Sequence, residues 1–131
     1  MLQFMKMILV LNLLFICKAK GSKMNNIKDV SMIQLIATPE KYDKQHIRVI
    51  GYLLLEFERT VIYLSSLDYE NSISKNALQL KDLDLKKYSK ENKSYVLIEG
   101  IFNFKTYGRR GLLYSGSIEK VNRLMKWEKE K

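Results

Sequence analysis

Residues 105–111 contain several side chains of the types that bind anionic or planar ligands. Tyr107 offers a ring for stacking, and Arg109 and Arg110 offer planar cations with several hydrogen-bond donors. Lys105 adds a further cation, and flanking glycines permit close approach of the backbone. The segment is therefore a candidate binding loop. The alternative is an ordinary hairpin loop whose charges give solubility and whose glycines serve the turn.

Three more side chains carry the same cationic and aromatic chemistry. Arg59, Tyr63 and Tyr69 lie in or near a predicted hairpin. Tyr63 has an equally good interpretation as a half-buried strand residue, because aromatic residues are common in strands. The candidate ligand-binding set is Arg59, Tyr63, Lys105, Tyr107, Arg109 and Arg110.

The sequence contains little that could perform catalysis. His46 is the only imidazole, and it opens a predicted strand, where an edge residue is as good an interpretation as a general base. One His and one Cys provide no clustered zinc ligands, and no glycine motif for phosphates or dinucleotides occurs. The carboxylate pairs at 56/58 and 82/84 are typical of turns and helix starts. We expect a protein that is not an enzyme and that carries no metal and no cofactor.

The net charge of +9 is concentrated toward the two ends of the chain. Residues 105–131 carry eight basic and three acidic side chains, whereas residues 22–104 are close to neutral. A basic tail of this kind either aids solubility or binds an anionic partner such as a nucleic acid or a membrane surface. The distribution argues against a protein that is coated all over with positive charge.

The N-terminus has the three parts of an export signal. A short start with Lys6 precedes the apolar run of residues 7–16, and the small-residue segment Ala19-Lys20-Gly21 follows. A run of this length rises about 15 Å as a helix, half of a hydrocarbon core of roughly 30 Å, which disfavours a membrane span. We expect residues 1–21 to be removed, so that a periplasmic or secreted chain begins at Ser22.

Two alternatives remain for this segment. Cys17 follows apolar residues as in a bacterial lipoprotein signal, although Ile16 stands where that motif has Gly, Ala or Ser. A lipid anchor at Cys17 is therefore one alternative. The other is that Met24 is the true start, which would leave the protein in the cytoplasm.

A chain of 131 residues has room for one domain, and its start is a predicted helix followed by a long strand. Ser31 and Gln34 form a capping-box pattern that predicts a helix of about two turns, ending near Thr38 before Pro39. Alternating apolar residues predict the first strand over 47–57. One face of that strand would carry residues 47, 49, 51, 53, 55 and 57.

Four further strands and a second helix are predicted after this one. The strands cover residues 61–64, 77–80, 95–104 and 112–123, with a turn at 58–60 and a polar loop at 65–76. Leu85 and Tyr88 stand at helical spacing and predict the helix over 84–91. Gly51 and Gly100 interrupt the two long strands, where they predict bends or bulges.

Five strands with a helix between the third and fourth is the order of the OB-fold, a partly open Greek-key barrel. Residues 31–52 (SMIQLIATPEKYDKQHIRVIGY) and 95–102 (YVLIEGIF) resemble the small bacterial OB-fold proteins related to the tRNA-anticodon-binding type. The resemblance covers residues 28–124. It implies an all-β, five-stranded barrel that binds a ligand across its second and third strands. Nucleic-acid-binding members present aromatic and basic residues on the first strand, where this chain also has Ile50 and Leu54.

The expected organisation is a signal peptide (1–21), a linker (22–27), the OB-fold domain (28–124) and a charged tail (125–131). Trp127 in that tail is available to pack on the fold or on a partner. We expect an exported binding module of the bacterial cell envelope whose ligand is a protein or a glycan. The alternative is a single-stranded nucleic-acid-binding protein that uses residues 105–111 and the basic tail. A small hydrolase built on His46 or a carboxylate pair is a third interpretation.

Overall fold

The computed structural model describes residues 26–105 and 113–131. This part of the chain is β-rich, with short helices between the strands. The strands are β1 (Lys28–Asp29), β2 (His46–Glu56), β3 (Arg59–Tyr63), β4 (Ala77–Leu80), β5 (Tyr95–Asn103) and β6 (Ser117–Lys126). The α-helices are α1 (Met32–Ala37) and α2 (Ser66–Glu70), and the 3₁₀ helices are Pro39–Tyr42, Ser74–Asn76 and Ser89–Glu91.

The six strands form one mixed sheet whose hydrogen bonds close into a ring. The order along the sheet is β1-β2-β3-β4-β6-β5, and β2 also pairs with β5. The ring therefore runs from β2 through β3, β4, β6 and β5 back to β2. The β1–β2 and β4–β6 pairings are parallel, and the others are antiparallel. Because β1 lies outside the ring, the ring consists of five strands.

The long strand β2 closes the ring by pairing with two different strands. Residues 46–52 pair with β5, and residues 52–56 pair with β3. Gly51 lies where the second pairing begins. A Cβ atom at this position would lie 2.5 Å from Ile62 Cγ1 and 2.8 Å from the Tyr63 carbonyl oxygen. A side chain at Gly51 would therefore push β2 and β3 apart.

The predicted irregularity at Gly100 is a bulge between β5 and β6. The register shifts between Glu99, which faces Arg123, and Ile101, which faces Glu119. A Cβ atom on Gly100 would lie 2.7 Å from the Glu119 carbonyl oxygen. The two glycines that look alike in the sequence therefore have different roles, since the β2–β5 register runs through Gly51 without a shift.

The core lies inside the ring and includes the predicted inner face of β2. Ile47, Val49, Leu53 and Leu55 are buried there, which confirms the alternation up to residue 55. The prediction for Phe57 is wrong: its side chain is 92% exposed. Phe57 and Glu58 form the two-residue turn between β2 and β3, so the alternation ends with the strand.

A second, smaller apolar cluster lies on the opposite side of the β2–β3 hairpin. Leu54, Val61, Tyr63 and Ala77 are its buried members, and Tyr69 of α2 packs against them. The predicted polar loop 65–76 thus contains a helix. The sequence gives no helical pattern there because α2 has only five residues.

Helix α1 begins as the capping-box pattern predicts. The Gln34 backbone N–H donates to Ser31 Oγ at 3.1 Å, and the Ser31 backbone N–H donates to Gln34 Oε1 at 2.8 Å. Met32 and Leu35 are buried on the core side. The helix is too short to be stable alone, so this packing holds it against the sheet.

Three other element predictions need correction. The strand count misses β1, because two residues that add to β2 leave no periodic pattern. The helix over 84–91 is wrong, since that segment consists of turns and the 3₁₀ helix Ser89–Glu91. The Asp84 carboxylate accepts from the N–H groups of Lys86 and Lys87, which favours a tight turn. The last strand begins at Ser117 instead of residue 112, after Gly116, which packs against the Phe102 ring.

Candidate functional site

The structure describes half of the sequence-predicted binding residues. Tyr107, Arg109 and Arg110 lie outside the described residues. Lys105 is exposed after the end of β5, and its ammonium group lies 5.5 Å from the centroid of the Phe104 ring. Its contact is therefore with its own sequence neighbour.

Arg59 and Tyr63 lie at opposite ends of β3 and have different surroundings. Arg59 forms an exposed ion pair with Glu56 across the hairpin turn, with 3.1 Å between Nη2 and Oε2. Tyr63 is 1% exposed, and burial raises the pKa of its hydroxyl. A ring buried to this extent offers no free face to a ligand, so Tyr63 packs as the strand residue that the sequence analysis allowed.

The OB-fold resemblance assigns the ligand to the outer face of the predicted second and third strands, which are β3 and β4. Tyr63 of β3 and Ala77 of β4 are buried on that face. The Tyr69 ring from α2 lies 5.7 Å from the Tyr52 ring in a stacked arrangement and 5.8 Å from the Tyr63 ring edge-on. Lys93 lies over the Tyr69 ring at 5.9 Å. Helix α2 and these tyrosines therefore occupy the outside of the β2–β3 hairpin.

The outer face of β2, β5 and β6 carries side chains in rows across the strands. Arg48, Glu99 and Arg123 are direct register partners, and we call them the charged row. Arg48 Nε donates to Glu99 Oε1 at 2.7 Å, and Arg123 Nη1 donates to the same oxygen at 3.2 Å. Asp29 of β1 lies 3.3 Å from Arg48 Nη1.

The Glu99 carboxylate is covered by the arginines that bind it. Its side chain is 5% exposed, whereas those of Arg48 and Arg123 are 33% and 48% exposed. Burial alone would raise the pKa of Glu99, but the hydrogen bonds and charges of the two arginines outweigh burial and lower it. Glu99 is therefore ionised near neutral pH and holds both guanidinium groups in place.

Two further rows lie beside the charged row on the same face. Ile50, Leu97 and Met125 are register partners and form the apolar row. Tyr52 faces Tyr95, and the Trp127 N–H donates to the Tyr95 carbonyl oxygen at 2.8 Å. Ile50, Met125 and Trp127 remain 37%, 45% and 47% exposed. An apolar strip with a tryptophan at its end is thus open to solvent beside fixed charges.

A groove of about 630 Å³ runs between this face and the start of α1. Ile50, Leu97 and Trp127 line it, and α1 contributes Ile33. Asp29 and Arg48 lie at its polar end. Ile33 is 63% exposed, so the groove opens directly to solvent. A concave apolar surface with a few polar groups at one end is typical of a binding site.

The sequence analysis missed most of this groove, although it singled out Ile50 and Trp127. Its lining comes from residues 29–34, 48–50, 64, 97 and 127, which the sheet register brings together. The available signal was an apolar residue on the polar face of a strand, as at Ile50.

His46 has an amide as its side-chain neighbour. Its Nε2 lies 3.4 Å from Asn122 Oδ1. Within residues 26–105 and 113–131, no group of three or more His, Cys, Asp and Glu side chains could hold a metal ion. In the same part of the chain, no helix has the length and apolar character needed to span a membrane.

Comparison of the sequence with protein-family models finds no matching family. Comparison with curated proteins finds no match.

Proposed function

We propose that the protein is an exported, non-catalytic binding module with an OB-fold, and that its ligand is a segment of another protein bound in the groove. The observation that carries this proposal is the open apolar groove of about 630 Å³ between α1 and Trp127. A concave site lined mainly by apolar side chains, with a few polar groups beside them, is the usual form of a binding site.

The OB-fold part of the proposal is supported by the ring of strands. The strands β2 to β6 supply the five that the resemblance requires, and the β2–β5 pairing closes them. The strand β1 is then an additional strand that pairs with the free edge of β2. The proposed binding site differs from the one that the resemblance implies. The outer face of β3, which is the second of these five strands, is covered by α2 and Tyr69.

A protein ligand suits this groove better than a glycan or a nucleic acid. Most of the apolar lining is aliphatic, including Ile33, Ile50 and Leu97, and only Trp127 offers an aromatic face. Glycans and single-stranded nucleic acids bind through several stacking rings and, for nucleic acids, a basic groove. Apolar side chains of a protein segment match aliphatic walls, with Trp127 as the anchor.

Site-specific photocrosslinking in cells tests the site and the ligand class together. A benzophenone amino acid replaces Ile33, which is 63% exposed in the groove wall, or Ile73, which is 43% exposed and lies outside the groove lining. We expect protease-sensitive adducts from position 33 that disappear when Trp127→Ala is added, and none of these adducts from position 73. Adducts that are equal at both positions, that are nuclease-sensitive, or that are absent would contradict the proposal.

The export part of the proposal has its own test. The full chain is expressed in a bacterium, and its mass and cell fraction are measured. A periplasmic product that begins at Ser22 is the expected result, and a product lipidated at Cys17 would place the same module on a membrane. An intact chain in the cytoplasm would contradict export.

A further inference from the structure

The edge of β2 has a gap between two strands. On that edge, β1 pairs with Ile47 and Arg48, and pairing with β3 begins at Tyr52. The Arg48 carbonyl oxygen accepts from the Val30 N–H at 3.0 Å on this side. Because backbone groups alternate in direction along a strand, the peptide groups of Ile50 point to the same edge. They therefore face the gap, where neither strand pairs with Ile50.

This gap opens into the groove. Val30 and Leu64, which lie at the ends of the two flanking segments, line the groove together with Ile50. An extended segment entering the groove would meet a backbone donor and acceptor at Ile50 and apolar side chains on both sides. Addition of a strand to an exposed sheet edge is a common way to bind peptides.

The charged row continues past the polar end of the groove to Arg123, which lies outside the groove lining. At that end, the exposed Asp29 carboxylate pairs with Arg48. Arg48 and Arg123 share the Glu99 carboxylate, but that carboxylate is 5% exposed, whereas the Arg123 side chain is 48% exposed. Among the described residues, Arg123 Nη2 is 3.2 Å from the Met125 sulfur, which is a weak acceptor. A carboxylate from a ligand would give Arg123 Nη2 a stronger acceptor than the Met125 sulfur.

The chain itself contains an example of this recognition. In β1, Asp29 places a carboxylate 3.3 Å from Arg48 Nη1, and the next residue, Val30, donates its N–H to the backbone of β2. An acidic residue followed by an apolar one is thus already bound in extended form on this edge. The groove begins where that segment turns away into α1.

From these observations we propose that the ligand segment is an extended peptide in which an acidic side chain lies within a few residues of a large apolar one. The apolar side chain would seat against Leu97 and Trp127, the peptide backbone would bond to Ile50, and the carboxylate would bind Arg123. This inference rests on the proposed function and adds the chemistry of the ligand to it.

Selection from a random dodecapeptide display library on the mature chain tests the inference. The most enriched peptide is then synthesised and titrated against four forms of the protein: wild type, Trp127→Ala, Arg123→Gln and the control Lys90→Gln. Lys90 is exposed and lies outside the groove lining. We expect Asp or Glu near Leu, Ile, Phe or Trp in the enriched peptides, and slower exchange of the Ile50 amide in the complex.

The variants separate this inference from the proposed function. Affinity should fall about tenfold in Trp127→Ala and about threefold in Arg123→Gln, and stay unchanged in Lys90→Gln. Enriched peptides that lack acidic residues, or that bind Arg123→Gln as tightly as wild type, overturn the inference but leave the proposed function standing. Peptides that bind Trp127→Ala as well as wild type, or a library with no enrichment, overturn both.

Discussion

Arg48 and Glu99 lie directly opposite each other on β2 and β5, and the Arg48 Nε donates to Glu99 Oε1 at 2.7 Å. The same oxygen accepts from Arg123 on β6, so one carboxylate connects three neighbouring strands. These side chains lie one row away from Ile50 and Leu97, which line the groove. The charged row therefore stabilises the sheet next to the groove and fixes the positions of the charges beside it.

Glu99→Gln should reduce stability in a pH-dependent way. The folded-state pKa of Glu99 is lowered from its ordinary 4.5, so its stabilising effect is present above that value and is lost as the pH falls through the folded-state pKa. We expect the variant to lose about 1 to 2 kcal/mol at pH 7, a value reduced for solvent screening at the outer face. Urea unfolding of both proteins at pH 7 and pH 3 measures the difference.

The exposed turn residue Glu58 provides the control, since Glu58→Gln removes the same charge without a buried partner. The difference in the free energy of unfolding between wild type and Glu99→Gln should be smaller at pH 3 than at pH 7. An equal difference in the free energy of unfolding at both pH values would show that the carboxylate charge does not contribute to stability.

Gly51→Ala should destabilise the ring at the point where β2 begins to pair with β3. The added Cβ would lie 2.5 Å from Ile62 Cγ1 and 2.8 Å from a backbone oxygen, which cannot move easily. We expect a loss of about 2 kcal/mol in chemical unfolding, as for overpacked cores. Ile62→Ala removes both Cγ1 and Cδ1, which would be 2.5 Å and 2.8 Å away, so the double variant should lose less stability than the sum of the two single variants. Additive losses would contradict the proposed clash.

Phe57→Ser should leave stability unchanged within about 0.5 kcal/mol, because an exposed turn residue contributes little to the core. Leu53→Ala, four residues earlier on the buried face of β2, should cost about 3 kcal/mol. Leu53 is 0% exposed and Phe57 is 92% exposed. Thermal or urea unfolding of the two variants distinguishes them, and a large loss for Phe57→Ser would place this ring in the core.

Ser31→Ala should cost about 1 kcal/mol, because it removes the acceptor for the Gln34 N–H at the start of α1. Ser31→Gly should cost only a few tenths of that amount, since glycine is tolerated at helix N-caps. Ser31→Ala should also weaken ligand binding, because residues 31–34 line the groove. Equal stability of the alanine variant and wild type would mean that packing alone holds α1.

Sequence pattern predicted the elements that carry a strong local signal. The strand at 77–80 was placed correctly, and so were the inward side chains of β2 up to Leu55. The Ser31 cap was also visible, because its pattern is confined to four residues. These features are determined by interactions between residues that are close together in the sequence, so they leave a local pattern.

The features that were missed depend on contacts between distant residues. Glu99 appears in the sequence as one polar residue in an apolar strand, and its burial depends on Arg48 and Arg123 from two other strands. Tyr63 resembles a stacking residue until Tyr69 is seen to cover it. The groove needs β2, β5 and the end of β6 in register, so its lining could not be assembled from local pattern.

The most direct test of the account is the environment of Trp127 when the partner binds. Trp127 is the only tryptophan, so labelling with 5-fluorotryptophan gives a single ¹⁹F resonance from the groove. The labelled chain is titrated with the protein recovered by crosslinking at position 33. We predict a saturable shift of this resonance and loss of its sensitivity to solvent. Binding that is detected by calorimetry while the resonance stays unchanged would contradict the assignment of the groove as the binding site.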